Sequence, residues 1–480
     1  MSKSIGKNDK NNKPEFIKEN GKNNKPEFIK KNDELEVDIE EFGALGEGVA
    51  KVNGYTLFIN SAIPGDRCKI KVIKTGKNFG YGRLLNVIIP SSNRVAPRCP
   101  VADKCGGCKI MSVKYEEQLR FKQNKVRNNV ERIGGLPSDT YEEEKIIGME
   151  EPYEPYFYRN KAQFPVGMSK DGRIITGFYA GRTHSIIEND KCYIGVSENE
   201  EILEIIKKHM EKEHILPYDE KSLKGLVRHI LIRKGFHTGE IMVCIVINGD
   251  RLSGEDKLVE SLKEIKGMKS ISLCVNKKNT NVILGDKVIN LYGDGYIYDY
   301  IKDLKFKISV KSFFQVNPVQ TERLYSKALE YAGLTGNETV WDLYCGTGTI
   351  SLFLARKAKK VYGVEIIEDA IKNARDNMRL NGIENAEFYV GKSEEVFEDR
   401  KTEADVVVVD PPRKGCEKKL LDSIINVGPK RVVYVSCDSA TLARDLKILT
   451  EGGYKLKKLC PVDMFPHSDS VESVCLLDRM

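Results

Sequence analysis

Three side chains in the C-terminal third are of types that can do covalent chemistry. Cys437 ends a predicted strand, 431–437, directly before a helix capped by Asp438 or Ser439. A thiol at a helix N-terminus has its thiolate favoured by the local positive potential, which makes it a nucleophile. Glu472 opens the last predicted strand and can serve as a general base. Asp410 ends the strand 404–410 in Asp410-Pro411-Pro412-Arg413-Lys414-Gly415, where the prolines stiffen the exit and hold the acid at the strand tip. A second group is inorganic in character. Cys99, Cys105 and Cys108 are separated by five residues and then two, close enough to converge on one centre, with Cys192 as the candidate fourth ligand. Structural zinc sites usually pair their cysteines as two short hairpins, so a tight trio plus a distant singleton fits a four-iron cluster better.

The elements that must position the first group begin at Thr339. A buried strand, 339–344, turns sharply through Gly346 and Gly348 into a helix starting near Thr349. Glycines permit the unusual dihedrals of that turn and let a ligand approach bare backbone. A second strand ends in Glu365, placed to accept from both ribose hydroxyls of a nucleoside. Strands are predicted at 339–345, 359–365, 386–391, 404–410, 431–437, 454–462 and 472–478, alternating with helices until a closing strand pair. This predicts an α/β class with a doubly wound, seven-stranded sheet of the S-adenosylmethionine-dependent methyltransferase kind over 311–480.

A thiol, an acid and a methyl donor together define a chemistry. Carbon 5 of uracil is a poor nucleophile. A thiolate added to carbon 6 turns the ring into an enolate that can take a methyl group, and a base must then remove the carbon-5 hydrogen. Cys437 suits the first role and Glu472 the second. Asp410 or a nearby amide would orient the ring edge, and Phe313 or Phe465 could stack on its face. Cys416, six residues beyond Asp410, is a weaker nucleophile candidate because it follows a flexible Lys-Gly step. Cys345 is expected to line the donor pocket, and His467 to hold its loop.

The rest of the chain supplies context. Residues 1–32 contain Asn-Asn-Lys-Pro-Glu-Phe-Ile-Lys twice and hold +5 of the net +7 charge, which reads as a disordered tail. From 33 to 90, five short strands with glycine turns predict an OB-type barrel that resembles a TRAM domain, with Lys69, Lys71, Lys74, Lys77 and Arg83 on its later strands. Residues 91–310 are expected to form a mainly β central domain that carries the cysteine loop, with a charged helix at 111–134. Twelve cysteines in 480 residues are too few for a disulfide framework. No apolar run approaches the ~20 residues of a membrane span, and no signal-peptide pattern opens the chain, so a cytoplasmic protein with no membrane partner is expected.

Residues 33–480 resemble the RNA uracil-carbon-5 methyltransferases of the RumA/TrmA group, specifically the 23S ribosomal RNA branch. The carriers are the four cysteines, Ser312-Phe313-Phe314-Gln315-Val316-Asn317, Asp342-Leu343-Tyr344-Cys345-Gly346-Thr347-Gly348, the Asp410 to Gly415 stretch, Ser436-Cys437-Asp438, and Phe465-Pro466-His467 through Glu472. The resemblance implies that Gln315, Tyr344, Glu365 and Asp410 contact S-adenosylmethionine, that Cys437 is the nucleophile and Glu472 the base. It also implies that Cys99, Cys105, Cys108 and Cys192 hold a [4Fe-4S] cluster. A monomer acting on 23S ribosomal RNA is expected, and helix 111–134 is expected to pack on the catalytic domain. The alternatives are the transfer-RNA branch, set aside as lacking the barrel and the cysteine trio, and a non-catalytic RNA-binding or assembly factor. One departure is Lys392, where this sheet often carries an acid beside the adenine.

Overall fold

The computed structural model describes residues 29–181, 183–400 and 404–480. The chain forms two units, one of residues up to 43 with 47–92, the other of 44–46 with 93–480. In the first, the strands Glu34–Asp38, Glu41–Phe42, Gly48–Val52, Tyr55–Asn60, Arg67–Thr75 and Phe79–Ile89 make one six-stranded sheet. Alternation along Arg67–Thr75 buries Cys68, Ile70 and Val72 among Ala50, Leu57 and Ile59. Five strands are visible in the sequence; the additional strand has two residues, too few to display a period. Most of the expected tail lies outside the described residues. Its Ile29 is buried in this core, so ordered chain begins ahead of Asp33.

In the second unit a seven-stranded mixed sheet is centred on the hairpin Val227–Lys234 and Ile241–Ile247. Ile241–Ile247 is apolar throughout because both of its faces are covered. Ile230, Ile232, Val243 and Ile245 pack with residues of the helices Asn199–Lys212 and Glu255–Lys263. Leu231, Met242, Cys244 and Val246, on the opposite face, share a core with the C-terminal sheet.

That C-terminal sheet is built from β1 (Thr339–Leu343), β2 (Lys360–Glu365), β3 (Ala386–Val390), β4 (Val406–Val409), β5 (Arg431–Ser436), β6 (Tyr454–Val462) and β7 (Glu472–Arg479). Their spatial order is β3-β2-β1-β4-β5-β7-β6, and a two-residue strand, Glu142–Glu143, adds to the outer edge of β6. The first five run parallel, and β7 inserts antiparallel between β5 and β6. The accompanying helices are α1 (Pro318–Ala332), α2 (Thr349–Ala355), α3 (Glu368–Leu380), α4 (Ser393–Arg400), α5 (Lys418–Val427) and α6 (Ser439–Glu451). Helix α4 is short and rich in acids, so it carries no apolar stripe to betray it. Strand order reverses between β1 and β4, which opens a crevice beyond their carboxyl ends.

The helix Tyr115–Arg132 is remote in sequence but packs on α6. Val126 and Val130 join Leu442, Ala443 and Leu446 in one cluster, and Asn129 donates to Ser439 Oγ at 2.8 Å.

Candidate active site

The crevice floor is the glycine turn after β1. Tyr344 and Cys345 donate backbone N–H groups to Val364 O at 3.0 and 2.9 Å, which swings the chain over the end of β2. Gly346 sits at φ 55° and Gly348 at φ 80°, in the left-handed region. A Cβ on Gly346 would meet only open space, while one on Gly348 would lie 3.0 Å from Ala374 Cβ. The first glycine therefore leaves room for a ligand against the backbone, and the second permits close packing of α3. Beneath the turn, buried Asp342 accepts from Ser351 Oγ at 2.5 Å, while its Oδ1 has no partner among the described residues. Burial, reinforced by the charge of Glu365, raises its carboxyl to about 7.

Four residues expected at the donor surround this floor in different ways. Glu365 ends β2 and accepts from Ile367 N at 3.0 Å, beside the exposed side chains of Ile366 and Ile367. Gln315 is buried in a loop strapped over the turn: Thr347 Oγ1 donates to Phe313 O at 3.2 Å, and Asn160 Nδ2 donates to Gln315 O at 3.0 Å. Asp410 follows β4 and is half-buried. Tyr344 has φ 84°, and its ring turns toward Cys416 and Glu417, where burial raises its hydroxyl. Lys392 points away to Glu395, at 2.7 Å.

Register brings the proposed nucleophile and base together. Ser436 on β5 pairs with Ser473 on β7, so the next step along the antiparallel ladder sets Cys437 opposite Glu472. Glu472 is 4% exposed, and its carboxyl is raised to about 8 by burial and then by Asp410, against the pull of Arg413. Asp410 is raised to about 7 by burial and Asp342. Cys437 itself is half-buried, and its thiol is pushed up to about 12 by burial first, then by Glu472 and Asp410. This corrects the expectation of a favoured thiolate. The helix N-terminus is spent on the Asp438 cap, whose Oδ1 accepts from Ala440 N and Thr441 N at 2.9 and 3.0 Å, and the acids outweigh what remains.

The loop before β7 is held by Lys122 and Tyr115, whose roles carry no local motif. Lys122 donates to Asp463 Oδ1 at 2.5 Å, with both side chains fully buried, and Tyr115 OH donates to Asp463 Oδ2 at 2.8 Å. Lys122 also donates to Phe465 O at 2.9 Å. His467 stacks 4.5 Å from Tyr156, its Nδ1 lies 3.1 Å from Gln118 Nε2, and burial lowers it to about 4, so it is a neutral loop anchor. Cys416 stands apart: its N–H donates to Asp445 Oδ2 at 2.8 Å, and its side chain is buried in the cluster with α5 and α6. Cys345 is buried at the turn.

Cys99, Cys105, Cys108 and Cys192 line one cavity of about 400 Å³ together with Arg159. Burial raises the thiols of Cys105, Cys108 and Cys192, and repulsion from neighbouring cysteines adds to it. Among the described residues no three His, Cys, Asp or Glu converge tightly enough for a single ion. The fold gathers the four expected ligands around one cavity, with no metal-binding group among the described residues. The loop also touches the β7 approach, since Lys109 N and Ile110 N donate to His467 O at 2.9 and 3.0 Å.

Residues 258–480 match the tRNA (Uracil-5-)-methyltransferase family, and residues 30–85 match the TRAM domain. A Clostridium acetobutylicum protein named as an RNA methyltransferase is 51% identical over 93% of this chain and 97% of its own length. The chain belongs to the RNA uracil-carbon-5 methyltransferase family. A Halalkalibacterium halodurans RNA methyltransferase is likewise 51% identical over 93% of this chain and 97% of its length. Among solved structures, the tRNA (uracil-54, C5)-methyltransferase of Pyrococcus abyssi, in complex with S-adenosyl-L-homocysteine, superposes with a TM-score of 0.73 at 28% identity. It covers 92% of this chain and 99% of that one. This uracil-5-methyltransferase therefore uses S-adenosylmethionine, and its crevice at the β1–β4 reversal lies where such sheets bind ligands. Residues 29–92, which hold the barrel, exceed the 8% of this chain left unmatched, so a tRNA-acting relative shares at least part of that region.

Proposed function

We propose that this enzyme methylates carbon 5 of a specific uridine in 23S ribosomal RNA through a temporary Cys437–uracil bond, with Glu472 as base. The observation that carries the reading is the β5–β7 register, which sets a thiol opposite a buried carboxyl, both within the field of Asp410. Bound S-adenosylmethionine supplies an electrophilic methyl group, and Gln315, Tyr344, Glu365 and Asp410 are the residues assigned to hold it. Tyr344 would do so through its backbone, given where its ring lies.

Cys437 sulfur bonds to carbon 6, its proton leaving through the half-exposed mouth, and the ring electrons shift to carbon 5. Arg413, the cation that opposes the acids around the thiol, stabilises the sulfur as it loses its proton. Once carbon 5 has been methylated, Glu472 takes its hydrogen as a proton. The electrons released restore the ring double bond as the carbon–sulfur bond breaks.

Cys99, Cys105, Cys108 and Cys192 would hold a [4Fe-4S] cluster, which supplies a four-point cross-link between the loop at 99–108 and the segment around Cys192. No step of methyl transfer needs it.

The ribosomal substrate is supported by the motif set that resembles the 23S branch. A transfer-RNA uridine is the second reading, favoured by the extent of the likeness to the P. abyssi enzyme. RNA carrying 5-fluorouridine tests the chemistry, because fluorine cannot leave as a cation: a denaturant-stable adduct should form, and Cys437→Ala should abolish it. An adduct that survives Cys437→Ala removes the proposed nucleophile. Mapping 5-methyluridine in ribosomal and transfer RNA from cells with and without the protein decides between the two substrates.

A further inference from the structure

On the barrel's outer sheet face, Phe58 and Tyr81 are register partners on neighbouring parallel strands, and Thr56 pairs with Phe79 one pleat away. The three rings form a closed triangle. Phe58–Phe79, Phe58–Tyr81 and Phe79–Tyr81 centroids lie 5.7, 5.9 and 5.8 Å apart, and the two contacts of Phe79 are edge-on, at 83° and 87°. Edge-on contact leaves ring faces open, and Phe79 is 45% exposed. The turn that carries it is fixed: Tyr55 OH donates to Gly76 O at 3.0 Å and accepts from Gly76 N at 3.1 Å, and Gly76 N donates to Phe79 O at 2.8 Å. Cations surround the rings. Lys74 pairs in register with Tyr81, Arg83 lies two residues along the same strand, and Lys77 sits in the turn. Lys51 reaches Glu40 at 3.4 Å and Lys69 reaches Glu34 at 2.9 Å, but Lys74, Lys77 and Arg83 have no acidic partner among the described residues.

We propose that Phe58, Phe79 and Tyr81 form a stacking platform for unpaired bases of single-stranded RNA, with Lys74, Lys77 and Arg83 taking the flanking phosphates. Exposed rings held rigidly beside unpaired cations match the two faces of a single strand, the flat base and the charged backbone. A duplex fits poorly, because its bases are already stacked inside it. Stacking accepts any base, so the platform would hold RNA without choosing the uridine. The proposal rests on RNA being the substrate and is independent of Cys437.

The full-length Phe79→Trp variant tests it. Trp341 is the only native tryptophan and is fully buried, so the new indole reports from the platform. A uridine-free oligoadenylate single strand should quench its emission, and a duplex of equal length should quench it far less. Phe58→Leu combined with Phe79→Leu should weaken oligoadenylate binding about tenfold or more. The same double variant should raise KM for substrate RNA while leaving kcat unchanged. Lys74→Ala with Arg83→Ala should flatten the salt dependence of oligoadenylate binding by about two charges. Equal quenching by duplex, or unchanged affinity in the leucine variant, would overturn the platform. Concentration-dependent quenching without RNA would overturn it in favour of self-association. An adduct lost in Cys437→Ala, beside an unquenched indole, leaves the catalytic reading intact and removes only this one.

Discussion

The carboxyl of Glu472 allows a quantitative test of its role. With its pKa raised to about 8, only about a tenth of the sites hold an ionised base at pH 7 and about half at pH 8. Removal of the carbon-5 hydrogen should therefore speed up about fivefold between those pH values and level off above about pH 9. RNA labelled with tritium at carbon 5 of uridine reports this step as label released to water in a single turnover, once the rate of Cys437 adduct formation has been measured at each pH and divided out. Glu472→Gln should slow release by about a hundredfold or more, remove the pH dependence, and let the covalent complex accumulate on denaturing gels. Asp410→Asn should move the native profile to lower pH, because the Asp410 charge helps hold the Glu472 carboxyl up. Tritium release at the native rate in Glu472→Gln, or a native profile flat from pH 6 to 9, would refute the assignment of the base.

Other consequences are simpler to check. Lys122→Met leaves the buried Asp463 charge unpaired and should destabilise the fold by about 3–5 kcal/mol, read as a lowered melting temperature; adding Asp463→Asn should recover part of it. Asp438→Ala removes the α6 cap and should remove about 1 kcal/mol of stability, whereas Asp438→Ser should lose little. The raised carboxyl of Glu472 contributes stability that is complete below about pH 4.5 and is lost as pH rises through about 8. The stability of Glu472→Gln should accordingly change less than that of the native protein between about pH 4.5 and 8, read by denaturant titration at each pH. Anaerobically purified protein should contain about four irons per chain, and Cys108→Ser should lose iron, sulfide and the brown colour together, measured by elemental analysis and absorbance.

Strands β1 to β7 are four to nine residues long, apolar throughout as in Val406–Val409 or alternating as at the start of Tyr454–Val462, and such local patterns persist whatever packs on them. Helix α4 and the two-residue strands at Glu41–Phe42 and Glu142–Glu143 were not legible, because they are too short or too charged to carry a period. Gln315, Glu365, Asp410, Cys437 and Glu472 could be named because strand ends in an open α/β sheet are where ligands bind, and each stands at such an end or in a motif beside it.

What the sequence determined by itself is the set of reactive side chains and the strands that end in them, since those depend on residue type and short-range period. Only the tertiary structure decided their electrostatics. The antiparallel insertion of β7 beside β5 sets Glu472 against Cys437, the parallel pairing of β4 with β5 brings Asp410 near it, and low-dielectric burial turns an expected thiolate into a thiol. The same holds for Lys122, which looks like one more charge on a polar helix until the fold buries it against Asp463, 341 residues away. Charge interactions depend on distance through space and on excluded water, and neither is written in the order of residues along a chain.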